Sequence, residues 1–311
     1  MKTVVITGAN SGIGFAAARY LAALPQWHVV LACRNAVKAN ASIAEIRKMR
    51  PDARVSFASL DLFSFESVRQ FPGLLAEMPI PPLSGLILNA GGPNLSANPQ
   101  FSEDGFEQTL QLNFLGHFLL ANLLISHLST GARIVFVSSD IHDPAATKMG
   151  KIMPPKFGPV EEVARSIGMA AKLKPMERYG TAKMFAMMAA YELDRRLKAA
   201  GKQITVNSWS PGVVPTTQAG KGMNPIAKWM VSRRWFVNFM GSHLSTEQEA
   251  GHALGDLLVS DRYSGVSGKY FDGFKEIPSS VESRDETKAR TVWEESARLV
   301  ELPQGLAIAA G

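Results

Sequence analysis

The chain has 311 residues, of which 46% are hydrophobic and 19% charged, with a formal net charge of +6. That length suits one large α/β domain or two small ones, and the composition excludes a disordered chain. The basic residues are scattered, which argues against nucleic acid as a partner and leaves room for anionic small ligands.

The single cysteine, Cys33, rules out an internal disulfide and fits a reducing, cytoplasmic setting. It sits in the apolar run 29–33, where a small buried hydrophobe is expected. No close set of Cys and His offers a metal site. The start, Met1-Lys2, runs into an apolar strand, so no leader is expected, and no stretch is expected to reach the length that spans a bilayer.

In chain order, residues 4–6 predict a first buried strand and 15–24 an amphipathic helix. Strand 29–32 precedes helix 39–49, and strand 55–59 precedes a short helix over 65–75. Strand 83–88 leads through a loop to a long helical pattern over 105–127, then strand 134–137. A helix over 179–199 and strands at 205–208 and 268–271 complete the pattern. Short apolar strands alternating with helices imply right-handed crossovers. The expected fold is α/β: a doubly wound parallel sheet of about seven strands in one domain, 1–311. Two stretches, 140–178 and 216–245, read as insertions.

The first strand ends in Thr7-Gly8-Ala9-Asn10-Ser11-Gly12-Ile13-Gly14. Gly8 permits a tight turn, Gly12 a close backbone approach to a ligand, and Gly14 helix-on-strand packing. The helix N-terminus then presents free N–H groups to a phosphate. The spacing is G-x3-G-x-G, and a glycine cluster gains meaning only from its place between strand and helix.

The second strand ends Ala32-Cys33-Arg34-Asn35, and no acid occurs between Val29 and Ala44. A dinucleotide fold that reads a ribose 2′-hydroxyl places an acid there. Arg34, with Lys38 one helical turn on, suits a 2′-phosphate, so NADP(H) is favoured over NAD(H). The alternative is that both are solvated surface charges. Asp61, followed by Leu62, ends the third strand and could accept from the adenine amine or cap the next helix. Asn89-Ala90-Gly91, ending the fourth, would let backbone approach the nicotinamide ribose.

Four features in order resemble the short-chain dehydrogenase/reductase family: Thr7-Gly8-x3-Gly12-x-Gly14, Asn89-Ala90-Gly91, Tyr179-x3-Lys183 and Pro211-Gly212-x3-Thr216. Ser267-Gly268-Lys269-Tyr270-Phe271 and the Cys33-Arg34-Asn35 turn are closest to the retinol-dehydrogenase-like and WW-domain-oxidoreductase-like branch, with protochlorophyllide reductases near it. The resemblance implies Tyr179 as proton donor or acceptor and Lys183 as its partner on the same helix face. It implies Ser139 to polarise the carbonyl and Asn113 to hold a relay water. It places Pro211, Gly212, Val214 and Thr216, with Tyr179 and Lys183, against the cofactor.

A free tyrosine titrates near pH 10. A lysine cation one turn away would favour its phenolate. Ser138-Ser139 could equally form a cap or turn. Asn113, amid Leu110, Leu112, Phe114 and Leu115, needs polar partners or it costs stability.

The 140–178 stretch, with Pro144, Pro154, Pro155, Pro159 and Pro175, is expected as a separate flap beside the site; His142 and Asp143 in it are expected in structural hydrogen bonds. The 216–245 stretch mixes Trp229, Met230, Trp235, Phe236, Phe239 and Met240 with Lys228, Arg233 and Arg234. A substrate lid is the first reading, and it implies a bulky hydrophobic carbonyl or alcohol. Packing on the sheet or a second subunit is another, and contact with a membrane surface a third. Residues near the pigment in protochlorophyllide reductases include cysteines that this chain lacks. A homo-oligomer through the helices around Asn113 and Tyr179 is compatible with the family. A redox sensor or scaffold that binds the dinucleotide without turnover is the alternative; intact Ser139, Asn113, Tyr179 and Lys183 argue against it.

Overall fold

The computed structural model describes residues 1–216 and 229–302. The N-terminal apolar run forms β1 (Lys2–Thr7), whose Val4, Val5 and Ile6 have no solvent exposure. Both faces of this strand are covered, so it shows no polar alternation. Then follow α1 (Gly12–Ala22), β2 (Trp27–Cys33), α2 (Ala36–Met49), β3 (Val55–Ser59), α3 (Phe65–Ala76) and β4 (Leu83–Leu88). The order continues with α4 (Gln108–His127), β5 (Leu128–Val137), α5 (Lys148–Ile152), α6 (Val160–Arg165) and α7 (Pro175–Ala199). It ends with β6 (Thr205–Ser210), α8 (Arg234–Phe239), α9 (Glu247–Val259), β7 (Tyr270–Asp272), β8 (Lys275–Ile277) and α10 (Glu286–Leu299).

The sheet runs β3-β2-β1-β4-β5-β6-β7-β8. All pairs are parallel except β7 with β8. This is the expected doubly wound sheet, with eight strands where about seven are read from the sequence. The extra strand, β8, is the second arm of a short hairpin and carries no apolar run to announce it. The strand order reverses between β1 and β4, so a crevice opens at their carboxyl ends.

Two helices are not evident from the apolar runs. α9 starts at a reciprocal cap, Thr246 with Glu249, and packs so tightly on α1 that a Cβ on Gly251 would lie 2.4 Å from that of Ala16. α10 buries Ala289, Val292, Trp293, Ser296 and Ala297, a stripe of helical period. Its Trp293 meets Phe118 of α4 edge-on at 4.8 Å and Arg196 of α7 at 4.9 Å.

α4 departs from expectation in another way. It is long and apolar enough to cross a membrane, with mean hydropathy 1.3 over its window, although 83% of that window is buried inside the protein. Its apolar character is that of a central core helix, whose Phe114 and Phe118 pack on Phe185 of α7 and Trp293 of α10.

The 140–178 stretch is not a free-standing flap. Val160, Val163 and Ala164 of α6 are buried, and the Val160 N–H donates to Glu295 of α10 at 2.6 Å. The Glu107 N–H donates to the Ala164 carbonyl at 2.7 Å. An apolar i, i+3, i+4 face among the prolines is what docks it. The front of the stretch meets the 216–245 stretch: the Lys148 N–H donates to the Met240 carbonyl at 2.9 Å, and a Cβ on Gly241 would lie 2.7 Å from the Ala146 carbonyl.

One ion pair ties these parts together. Arg178 and Glu107 are 3% and 1% exposed and 3.5 Å apart. Glu107 caps the start of α4 through the Leu110 N–H, and Arg178 donates to the carbonyls of Ser96 and Leu173. Removing one partner strands a buried charge, at a cost of about 3–5 kcal/mol. We therefore expect Glu107→Leu to lower the urea midpoint strongly and Glu107→Leu with Arg178→Met to regain a large part of the loss. A double variant no better than the single, in equilibrium unfolding, would contradict this account of the pair.

Candidate active site

A cleft of about 1160 Å³ runs along the carboxyl ends of β1, β2, β4, β5 and β6. Its floor in the middle is the glycine turn. Gly8 and Gly12 adopt left-handed φ of 67° and 57°, and a Cβ on Gly14 would lie 2.4 Å from the Asn89 side chain. Ser11, at the N-terminus of α1, makes no side-chain cap, whereas Asn35, Ser64 and Asp285 cap α2, α3 and α10. The first N–H groups of α1 thus face the cleft, where Asn10, Ser11, Gly12, Ile13 and Gly14 line it.

Arg34 and Lys38 line one end with Asp61 and Leu62. The Arg34 guanidinium lies 3.7 Å from Asp61 and stacks over Phe63 at 5.6 Å. The side chain is 66% exposed, so this pair holds it loosely. Asp61 also accepts from the Phe63 N–H at 3.0 Å, and Ser64 rather than Asp61 caps the helix that follows. At the opposite end, Asn89, Ala90, Gly91, Tyr179, Lys183, Pro211, Gly212, Val214 and Thr216 come together around Ser139.

The catalytic candidates are buried to different degrees. Lys183 is 2% exposed, and its Nζ donates to the Val137 carbonyl at 2.8 Å; burial lowers its pKa to about 7. Its ammonium sits 5.7 Å from the centre of the Tyr179 ring. Tyr179 shares a hydrogen bond with Ser139, yet its pKa is raised well above the ordinary value, chiefly by burial and then by the charge of Asp140. Desolvation and the neighbouring carboxylate both favour the neutral phenol. Ser139 both lines the cleft and caps the turn 140–142, so the two readings of Ser138-Ser139 coexist; Ser138 faces the Lys183 carbonyl at 3.3 Å.

Asn113 does not line the cleft. Its Oδ1 accepts from the Gly92 N–H at 2.9 Å, and its Nδ2 donates to the carbonyls of Gly92 and Thr109 at 2.9 and 2.8 Å. The bond to Thr109 enters the helical ladder, and α4 widens into a π-turn over Gln111–Leu115. The amide is therefore spent on holding the Gly91-Gly92 turn beside Lys183.

His117 and Asp140 were not singled out in the sequence. His117 lies one turn after Asn113, a second polar residue in an apolar helix, and the argument that found Asn113 applies to it. Its Nε2 lies 2.9 Å from Thr7 Oγ1, which also accepts from the N–H groups of Asn89 and Ala90 at 2.8 and 2.9 Å. His142 is buried as expected: its Nε2 accepts from the Ser280 N–H at 3.2 Å, so Nδ1 donates to the Ser139 carbonyl at 2.7 Å.

From the 216–245 stretch, Val231, Phe236, Val237, Met240 and Ser242 line the cleft. Trp229, Trp235 and Phe239 instead face solvent, at 54%, 64% and 61% exposure. Lys228 and the segment 217–228 lie outside the described residues. Among the described residues no group of His, Cys, Asp and Glu is placed to hold a metal ion.

A family profile described as short chain dehydrogenase matches residues 2–150. Mouse retinol dehydrogenase 13 is 33% identical across 100% of this chain and 86% of its own length. The chain belongs to the short-chain dehydrogenase/reductase family. The zebrafish WW domain-containing oxidoreductase is 33% identical across 96% of this chain and 68% of its own, and the Chlamydomonas reinhardtii protochlorophyllide reductase 33% across 97% and 78%. These are the branches that the motifs resemble. Among solved structures, an uncharacterized Mycobacterium paratuberculosis protein superposes with TM-score 0.69 at 27% identity over 96% of this chain and 93% of that one. An NADPH-bound short-chain oxidoreductase of Pseudomonas aeruginosa shares the fold, with TM-score 0.64 at 20% identity over 87% and 94%.

His117 generates a prediction for this short-chain dehydrogenase/reductase. Its pKa is lowered from 6.5 to about 3, first by burial and then by the charge of Lys183. Between these values the unfolded chain binds a proton that the folded chain refuses, so stability falls as pH drops from 6.5 towards 3. The urea midpoint should drop less between pH 7 and pH 5 in His117→Gln than in the wild type. An equal drop in both would show that His117 does not carry this linkage.

Proposed function

We propose that the protein is an NADP(H)-dependent oxidoreductase that reduces the carbonyl of a bulky hydrophobic compound, with Tyr179 as proton donor. The observation that carries the reading is one continuous cleft, with Arg34 and Lys38 at one end, the uncapped start of α1 in the middle, and Ser139, Tyr179 and Lys183 at the other. Two cations and free helix N–H groups on one line suit a dinucleotide that bears an extra phosphate. The cradle also fits on steric grounds: at Gly14 and Gly91 a Cβ would run into Asn89 and Asn113, so the floor is lined by backbone.

In this reading Arg34 and Lys38 bind the 2′-phosphate, and the first N–H groups of α1 bind the pyrophosphate. When bound, NADPH supplies the hydride that reaches the carbonyl carbon. Ser139 holds the carbonyl oxygen, and the Tyr179 hydroxyl gives it the proton, so the product is an alcohol. Lys183, fixed by the Val137 carbonyl, orients the ribose and stabilises the phenolate left on Tyr179. The apolar wall of Val231, Phe236, Val237 and Met240 excludes water and sets the hydrophobic preference.

Because burial and Asp140 hold the Tyr179 hydroxyl protonated, kcat/KM for reduction should lose nothing to Tyr179 ionisation between pH 6 and pH 9, and should fall only as the buried Lys183, with a pKa of about 7, gives up its charge. Oxidation, which needs the phenolate, should climb with pH over the same range. With 2-decanone and NADPH followed by absorbance at 340 nm, Tyr179→Phe should lower kcat by a factor of about 10²–10⁴. Its affinity for NADPH should be kept. A Tyr179→Phe variant with wild-type kcat would remove Tyr179 from the chemistry. Tight NADPH binding with no turnover of any hydrophobic aldehyde or ketone would favour the sensor or scaffold reading.

A further inference from the structure

Asp140 is the residue at the chemical end of the cleft that the reaction above does not use. It follows Ser139, is partly buried, and lines the cleft between Ser139 and Ile141. Its Oδ1 accepts from Ser139 Oγ at 3.2 Å, and its Oδ2 accepts from Ser242 Oγ. Among the described residues it has no salt-bridge partner. The cleft that it lines also carries the apolar side chains of Ile141, Val213, Phe236, Val237 and Met240. A carboxylate in such a cleft costs free energy unless donors satisfy it. Two hydroxyls supply one hydrogen bond to each oxygen, and each oxygen keeps a further lone pair. Its charge is felt by Tyr179, Tyr270 and His243, so it lies close to the hydroxyl pair that would grip the carbonyl oxygen.

We propose that Asp140 determines specificity by accepting a hydrogen bond from a hydroxyl on the carbon next to the reacting carbonyl. The substrates are then hydrophobic α-hydroxy carbonyl compounds, or the matching vicinal diols in the oxidative direction. This rests on the oxidoreductase reading above and names its substrate class. The separation of Ser139 Oγ from Asp140 Oδ1 is one that two oxygens on neighbouring carbons bridge. Ser139 has one proton, so when it turns to the carbonyl oxygen the place it leaves on Oδ1 falls to the substrate hydroxyl, while Ser242 stays on Oδ2. Ser242 fastens the carboxylate from the far side, so it is held in place before substrate arrives.

The test compares 2-decanone with 1-hydroxy-2-decanone, each with NADPH, in the wild type, Asp140→Asn and Asp140→Ala. Asparagine keeps the shape of the site, and NADPH titration verifies that each variant is folded. A hydrogen bond to a charged acceptor predicts that the wild type favours the hydroxyketone in kcat/KM by about tenfold or more. Both variants should bring that ratio towards one. A wild-type ratio near one, or a tenfold ratio that survives both substitutions, overturns the role of Asp140 and leaves the oxidoreductase reading standing. Absence of NADPH oxidation with either ketone, in a wild type that binds NADPH, counts against the oxidoreductase reading and removes this inference with it.

Discussion

The site depends on one buried hydroxyl. Thr7 Oγ1 accepts from the N–H groups of Asn89 and Ala90 and faces His117 Nε2, while Asn89 Nδ2 donates back to the Thr7 carbonyl at 2.9 Å. These bonds join the carboxyl ends of β1 and β4 to the middle of α4 at the point where the strand order reverses. The hydroxyl's two lone pairs are taken by backbone, so its proton serves the imidazole at 2.9 Å, with the Ile87 carbonyl a longer second acceptor at 3.4 Å. That requires a neutral ring, which burial enforces. With Thr7 and Asn89 held, there is room for Gly14 and no larger residue, so the start of α1 is set against the cleft floor.

The same economy runs one turn along α4. Asn113 holds Gly92 from both sides, Gly91 packs against the Asn113 amide, and Lys183 lies beside it on the Val137 carbonyl. Polar groups here are bound mainly to backbone, so they resist rotation without needing other side chains in place. The result is a floor pinned by backbone hydrogen bonds under a roof of two long connections. The roof is made from the 140–178 and 229–245 stretches, which touch each other through Ala146, Lys148, Met240 and Gly241 and meet again at Asp140 and Ser242. The buried pair Arg178–Glu107 fastens one of these stretches to the start of α4, one residue before Tyr179.

The floor was legible in the sequence because its chemistry is local. The glycine turn, Asn89-Ala90-Gly91 and the Tyr179–Lys183 pair each lie within a few residues, and all line the cleft. Asn113 was legible as a polar residue in an apolar helix, but its partner Gly92 is a long-range contact. The setting of Tyr179 was legible only in part for the same reason: spacing revealed the lysine, not the burial or the carboxylate of Asp140 that favour the neutral phenol. The docking of α6 was hidden by the surrounding prolines, and α10 is so rich in charge that its buried stripe does not stand out. Exposure of Trp229, Trp235 and Phe239 was equally invisible, since aromatic content alone does not say which side faces the cleft.

The reading turns on Arg34, which stands where a ribose-binding acid would otherwise be and leans only loosely on Asp61. The most direct measurement is a fluorescence titration of the wild type and Arg34→Ala with NADPH and with NADH. The account predicts that NADPH binds the wild type at least tenfold more tightly, a difference of about 1.4 kcal/mol. In Arg34→Ala that margin should shrink while NADH binding is kept. Equal or tighter binding of NADH by the wild type, or a margin unchanged by Arg34→Ala, would contradict it.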